Sequence, residues 1–75
     1  MATTTLDVKG LNCPLPVLRA NKVVKGLMAG DVLEVLVTDS AAPSDFAAYC
    51  ETTGHELVDR VEVDGIYTIT IRKGG

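Results

Sequence analysis

The sequence predicts an α/β two-layer sandwich with the element order βαβαββ, in which two helices pack on one face of a four-stranded mixed sheet. Short stretches that are apolar, or in which apolar and polar residues alternate, are separated by two stretches of helical periodicity. Each helical stretch begins at a proline and ends at a glycine. A two-residue turn joins the last two strands. With 75 residues, 47% of them hydrophobic, the chain has room for one core. Residues 1–75 are therefore expected to form a single domain.

The first strand is predicted over residues 4–8, and the first helix runs from Pro14 to Gly30. Leu6 and Val8 alternate with a charged residue, as in a strand with one buried face. Proline is favoured at the first helical position because its missing N–H would be unpaired there. Apolar residues then recur with helical spacing at Val17, Ala20, Val24 and Leu27, widened by Val23 and Met28. This stripe is expected to face the sheet.

The second strand is predicted from Val32 to Thr38. Apolar residues occupy both faces of this strand, which is typical of a strand that is covered on both sides or central in its sheet. Pro43 opens the second helix, and Gly54 stands where a left-handed cap would end it. Phe46, Ala47 and Cys50 form the apolar group of this helix.

The last two strands are predicted as a hairpin over residues 57–63 and 67–71. Apolar residues alternate in both, at Leu57, Val61 and Val63 and then at Tyr67, Ile69 and Ile71. Asp64-Gly65 between them is a strong hairpin signal, because both positions of the tight turn need a positive φ.

Charge is segregated along the chain, although the net charge is only −3. Residues 1–30 carry four basic residues and one acid, and residues 31–64 carry nine acids and one arginine. Arg19, Lys22 and Lys25 step by three along the first helix, away from its apolar stripe. They are either a solvated face or a docking site for an acidic partner protein. With three aromatic residues, a stacking platform for nucleic acid is not expected.

The sequence lacks the features that a membrane-spanning protein, a secreted protein or a metal-binding protein would need. The longest stretch without a charged residue, 10–18, is far shorter than the ~20 apolar residues that span a bilayer. The N-terminal residues do not resemble a secretory signal, so a cytoplasmic protein with reduced cysteines and no membrane partner is expected. Cys13, Cys50 and His55 are the only soft ligands and lack paired spacing, so no metal or other cofactor is expected. His55 is interpreted as an exposed residue near a helix end, without a catalytic role.

Cys13 is the residue that most suggests chemistry. It is predicted at the N-cap of the first helix, where the helix dipole would modestly lower the pKa of its thiol. Pro14 and Pro16 remove two first-turn N–H groups, which weakens that effect, and their fixed φ stiffens the corner that carries the sulfur. The alternative is that Cys13 is a small buried hydrophobe, and this packing role is the expected one for Cys50.

The motif Cys13-Pro14-Leu15-Pro16 resembles that of the TusA-like (SirA-like) sulfur carrier family, whose signature is Cys-Pro-x-Pro at the start of the first helix. The segments 30–39 and 46–57 and the terminal Ile-Arg-Lys are also similar to that family, so the resemblance covers about residues 6–73. It implies a cytoplasmic protein that accepts sulfane sulfur as a persulfide on the motif cysteine and relays it to a partner protein.

The resemblance also implies the kinds of partner. The donor would be a cysteine desulfurase or a rhodanese-like protein, and the acceptor a DsrE-like or similar protein. Family members serve tRNA 2-thiouridine synthesis, dissimilatory sulfur oxidation or molybdenum cofactor supply, and the residues favour none of these pathways over the others.

The residues leave open two alternatives to a carrier that holds sulfur on Cys13. Gly74-Gly75 resembles the end of ubiquitin-like carriers that hold sulfur as a C-terminal thiocarboxylate, but those have a β-grasp fold that begins with a hairpin. The simpler interpretation of the two glycines is a loose end without packing. The other alternative is a regulatory or interaction domain in which Cys13 is dispensable.

Overall fold

The computed structural model describes residues 2–74. Its elements are β1 (Thr3–Asp7), α1 (Leu15–Val24), β2 (Val32–Val37), α2 (Ala42–Thr53), β3 (Glu56–Val63) and β4 (Ile66–Arg72). The strands are ordered β1-β2-β4-β3, with β1 parallel to β2 and the other neighbours antiparallel. Both helices contact the sheet and each other, so they form one layer. The predicted two-layer βαβαββ sandwich is confirmed.

The core lies between the helices and the two central strands. Leu33, Val35 and Val37 of β2 are completely buried, as are Ile69 of β4 and Phe46 of α2. The prediction that β2 is central is confirmed, since β1 and β4 flank it. Within residues 2–74, no second layer covers the other face of β2, and the residues between the buried ones are half-buried.

The first helix is shorter than its periodicity predicts. It ends at Val24, and the chain continues in tighter turns in which Gly26 N donates to Val23 O and Leu27 N to Val24 O. Leu27 still packs against the core, but Met28 is 76% exposed. The prediction that Met28 widens the buried stripe is wrong, because helical spacing no longer applies beyond Val24.

The hairpin turn has the predicted geometry, but the strand before it does not. Asp64 and Gly65 have φ values of 52° and 79°. A bulge between Leu57 and Asp59 shifts the register of β3, so residues beyond it face the opposite side from their expected one. Leu57 packs against the core, whereas Val61 and Val63 are 47% and 63% exposed on the open face of the sheet.

The C-terminal segment is held against the rest of the protein. Lys73 O accepts a hydrogen bond from Gly30 N at 2.9 Å, and Gly74 N donates to His55 Nδ1 at 3.0 Å. His55 is therefore half-buried and hydrogen-bonded, not exposed as predicted. The expectation of a loose end is wrong for Gly74, and Gly75 lies outside the described residues. Among residues 2–74, no helix has the length and apolar character needed to cross a membrane.

Candidate functional site

Cys13 lies on the loop that joins β1 to α1, and its side chain is exposed. Residues that follow β2 hold this loop. Gly10 N donates to Thr38 Oγ1 at 3.0 Å, and Cys13 N donates to Asp39 Oδ2 at 2.8 Å. The other oxygen of Asp39 accepts from Ala41 N at 3.2 Å. One carboxylate thus ties the cysteine loop to the segment that leads into α2.

The two motif prolines occupy different environments. Pro14 is the N-cap of α1 and is exposed, whereas Pro16 is buried in the first turn. The peptide bond between Cys13 and Pro14 is cis. The prediction that Cys13 is the N-cap is wrong by one residue, because α1 begins only at Leu15 and the Cys13 N–H is directed to Asp39 instead.

The electrostatic environment of Cys13 is the opposite of the predicted one. A hydrogen bond to the Asp45 side chain raises the pKa of the Cys13 thiol, and the charges of Asp45 and Asp39 act in the same direction. A nearby carboxylate disfavours a thiolate because the two negative charges repel. The pKa of the Cys13 thiol is therefore raised, and the prediction of a lowered pKa is wrong.

Cys13 stands at the rim of a groove of about 350 Å³ between α1 and α2. Cys13, Pro14 and Val17 form one side of it, and Asp45, Ala48, Tyr49, Thr52 and Thr53 form the other. Tyr49 also joins the two helices, since its hydroxyl donates to Asn21 Oδ1 at 3.0 Å. The groove is mostly apolar and opens directly beside the exposed sulfur.

Of the three residues in the predicted basic patch, Arg19 and Lys22 lie together and Lys25 lies apart. Arg19 and Lys22 line a second groove of about 530 Å³ that also contains Leu6 of the edge strand β1. Lys25 is exposed at the C-cap of α1 and does not line this groove. Leu15, Leu18 and Val23 complete the lining. Leu15 and Leu18 are 45% and 57% exposed.

Sequence reasoning missed four residues of this region. Asp39 and Asp45 were counted only among the nine acids of residues 31–64, and a count of charges does not show which side chain lies beside Cys13. The signal for Leu15 and Leu18 was available, because both lie off the apolar stripe of α1 and so had to face solvent or a partner.

The other reactive side chains lie apart from this region. Cys50 is buried in the core, and burial raises the pKa of its thiol. Within residues 2–74, no three His, Cys, Asp or Glu side chains come together as they would to hold a metal ion.

The fold and the cysteine define a class of small α/β protein that offers one accessible thiol to other molecules. Comparisons with known proteins specify the family. The family model described as sulfurtransferase TusA matches residues 4–73. The chain belongs to the TusA family of sulfur carrier proteins, and such a carrier interacts with proteins that donate and accept sulfur.

Individual relatives agree with this assignment. A chain of Neisseria meningitidis serogroup A, named as a candidate sulfur carrier protein, is 53% identical over 72 residues, which are 96% of this chain and 97% of that one. The sulfur carrier protein TusA of Allochromatium vinosum is 44% identical over 68 residues, 91% of this chain and 90% of its own. The crystal structure of a SirA-like protein from Desulfitobacterium hafniense superposes with a TM-score of 0.84 at 34% identity, covering 96% of this chain and 99% of that one.

Proposed function

We propose that Cys13 carries the sulfur as a persulfide. The observation that carries this proposal is the contrast between the two thiols: Cys13 is exposed beside a groove, and Cys50 is buried in the core. Transfer between proteins requires the sulfur to meet a cysteine of another protein, which a buried thiol cannot do without local unfolding.

The reaction balances without an oxidant. The Cys13 thiolate attacks the outer sulfur of a donor persulfide, the S–S bond of the donor breaks, and the donor leaves as a thiolate. The proton lost by Cys13 balances the proton that the donor thiol gains. In the second step, a thiolate of the acceptor attacks the outer sulfur of the Cys13 persulfide, and Cys13 leaves as a thiolate.

Pro14 and Pro16 give the sulfur a rigid support in this proposal. Each fixes its own φ, and Pro16 is buried in the first turn of α1 while Pro14, next to Cys13 in the chain, is exposed. The position of the sulfur then changes little when a partner docks, which lowers the entropy lost on docking.

Arg19, Lys22 and Lys25 are proposed to attract the acidic rim of a partner, with Arg19 and Lys22 acting together in their shared groove. The partner classes are a cysteine desulfurase or rhodanese-like donor and a DsrE-like or similar acceptor. The pathway would be tRNA 2-thiouridine synthesis, dissimilatory sulfur oxidation or molybdenum cofactor supply. We place the carrier in the cytoplasm, where thiols stay reduced, with residues 1–75 acting as one domain.

The direct test is to incubate the protein with glutathione persulfide and measure the mass of each cysteine-containing peptide. The peptide containing Cys13 should gain one sulfur atom, Cys50→Ala should still load, and Cys13→Ser should not. Cys13→Ser should fold normally, because the side chain is exposed and the contact with Asp39 is made by the backbone. A folded Cys13→Ser protein that still loads sulfur would overturn the proposal.

A further inference from the structure

Asp45 lies across from Cys13 in the groove between the helices. It is in the first turn of α2 and half-buried, and its backbone N–H donates to Ala41 O at 3.0 Å. Asp39 accepts a hydrogen bond from the backbone of Cys13, and Asp45 lines the same groove as the Cys13 side chain. Two acidic residues therefore lie beside the one exposed cysteine.

Among residues 2–74, none that lines this groove carries a positive charge to balance Asp45. None of the eight side chains that line it is basic, and Tyr49 is its only other titratable group besides Cys13. The basic residues Arg19 and Lys22 line the second groove, with Leu6 of β1. The lining residues therefore offer Asp45 no cationic partner, and a docked molecule can supply one.

We propose that Asp45 is a positioning residue for the reaction of Cys13: its carboxylate holds the thiol hydrogen while the carrier is free, and releases it when a cationic side chain of a docked partner pairs with the carboxylate. The inference rests on the proposed function and adds to it the chemistry of the partner, whose cysteine is expected to stand next to a lysine or arginine.

The chemical consequence is that the thiol reacts mainly in the docked complex. Only the thiolate attacks a persulfide, and a free carboxylate beside it keeps the thiolate fraction small. Pairing with a cation removes that repulsion, and the thiol proton is lost to solvent. The sulfur exchange itself is unchanged. In the free carrier, the same hydrogen bond slows reactions with oxidants and other unintended electrophiles.

The first experiment measures the alkylation rate of Cys13 by iodoacetamide against pH, following the peptide that contains Cys13. Asp45→Asn should react several-fold faster than the wild type at neutral pH, and the inflection of its profile should move to lower pH. The matched control is Glu51→Gln, an exposed residue of α2 outside the groove, whose profile should match the wild type. Circular dichroism confirms that both variants are folded.

An Asp45→Asn profile that superposes on the wild type would overturn the inference, because a merely structural role does not move the inflection. This experiment does not depend on sulfur transfer. Failure of the proposed function would appear separately, as sulfur loading of Cys13→Ser.

The second experiment tests the partner chemistry with two synthetic peptides that carry a cysteine persulfide, one with lysine and one with glutamate beside the cysteine. The wild type should load faster from the lysine peptide, and Asp45→Asn should lose most of that preference. The Glu51→Gln control should keep it. A preference that persists unchanged in Asp45→Asn would show that the cation does not act through Asp45.

Discussion

The carboxylate of Asp39 accepts a hydrogen bond at 2.8 Å from the backbone N–H of Cys13, 26 residues earlier in the chain. This bond crosses from the end of β2 to the loop after β1, two strands that are neighbours and parallel in the sheet. Parallel pairing brings the carboxyl ends of both strands to one edge of the sheet, and the cysteine loop and α2 both begin there.

Replacing Asp39 by alanine should loosen the cysteine loop, because the N–H groups of Cys13 and Ala41 both lose their acceptor. At about 0.5–1.5 kcal/mol for each hydrogen bond, we expect the free energy of unfolding to fall by about 1–3 kcal/mol. Hydrogen exchange at the Cys13 amide should also accelerate. Asp39→Asn retains an acceptor oxygen, so its free energy of unfolding and its exchange rate should lie between those of the wild type and Asp39→Ala. Ser40→Ala, at the exposed neighbouring position, is the control, and equal exchange rates in Asp39→Ala and Ser40→Ala would contradict the prediction.

Reversing the charge of Lys22 should slow sulfur loading from a cysteine desulfurase at low salt. The effect should shrink as salt is added, because exposed charges are screened beyond about 10 Å at 0.1 M. Lys25→Glu should have a smaller effect, since Lys25 does not line the groove that Arg19 and Lys22 share. Arg60→Glu, the same charge change on β3, is the control. Loading rates that are equal in Lys22→Glu and Arg60→Glu across a salt series would remove the patch from the mechanism.

Deleting Gly74 and Gly75 should leave sulfur loading on Cys13 intact but lower the stability slightly, because the hydrogen bond from Gly74 N to His55 Nδ1 is lost. A loss of about 0.5–1.5 kcal/mol is expected for one hydrogen bond. The mass of the peptide that contains Cys13 shows whether the truncated protein still loads sulfur. If the truncated protein folds and no longer carries sulfur, a C-terminal thiocarboxylate would replace Cys13 in the mechanism.

Adding a methyl group at Gly74 should destabilise the protein more than the same change at Gly26. A Cβ on Gly74 would stand 2.5 Å from the backbone oxygen of Gly54, whereas on Gly26 it would meet Val23 O at an ordinary 3.5 Å. Because the C-terminal segment can move away at the cost of its hydrogen bond to His55, the expected loss is about 0.5–1.5 kcal/mol. Urea unfolding should place Gly74→Ala below the wild type and Gly26→Ala within error of it or above. Equal midpoints for the two variants would show that the C-terminal segment moves aside freely.

Asp31 should make the free energy of unfolding depend on pH in the acid range. Hydrogen bonds from the backbone N–H groups of Met28 and Ala2 lower the pKa of its carboxyl, with Lys73 nearby. A lowered pKa in the folded state means that this contribution is present above the unfolded value, about 3.9, and is lost as pH falls through the folded value. Asp31→Asn should therefore be less stable near neutral pH, and the difference from wild type should vanish in acid. Glu62→Gln is the control, and parallel pH curves for wild type and Asp31→Asn would refute this assignment.

The helices and strands could be predicted from the amino-acid sequence, because their signals are local. The helical stripe of α1, the paired φ requirement at Asp64-Gly65 and the left-handed Gly54 at the end of α2 each depend on a few neighbouring residues. The exposed cysteine on a strand-end loop follows from the same local patterns, together with the Cys-Pro-x-Pro motif that carries the family resemblance.

The surroundings of Cys13 could not be predicted in this way, because they depend on long-range contacts. Asp39 and Asp45 are far from Cys13 in the chain but lie beside it in the fold, and together they raise the pKa of the thiol, whereas the helix end alone was expected to lower it. The bulge in β3 that exposes Val61 likewise depends on pairing with β4. Local periodicity determines which residues can form a helix or strand, whereas register, packing and charge contacts are set by elements that meet only when the whole chain folds.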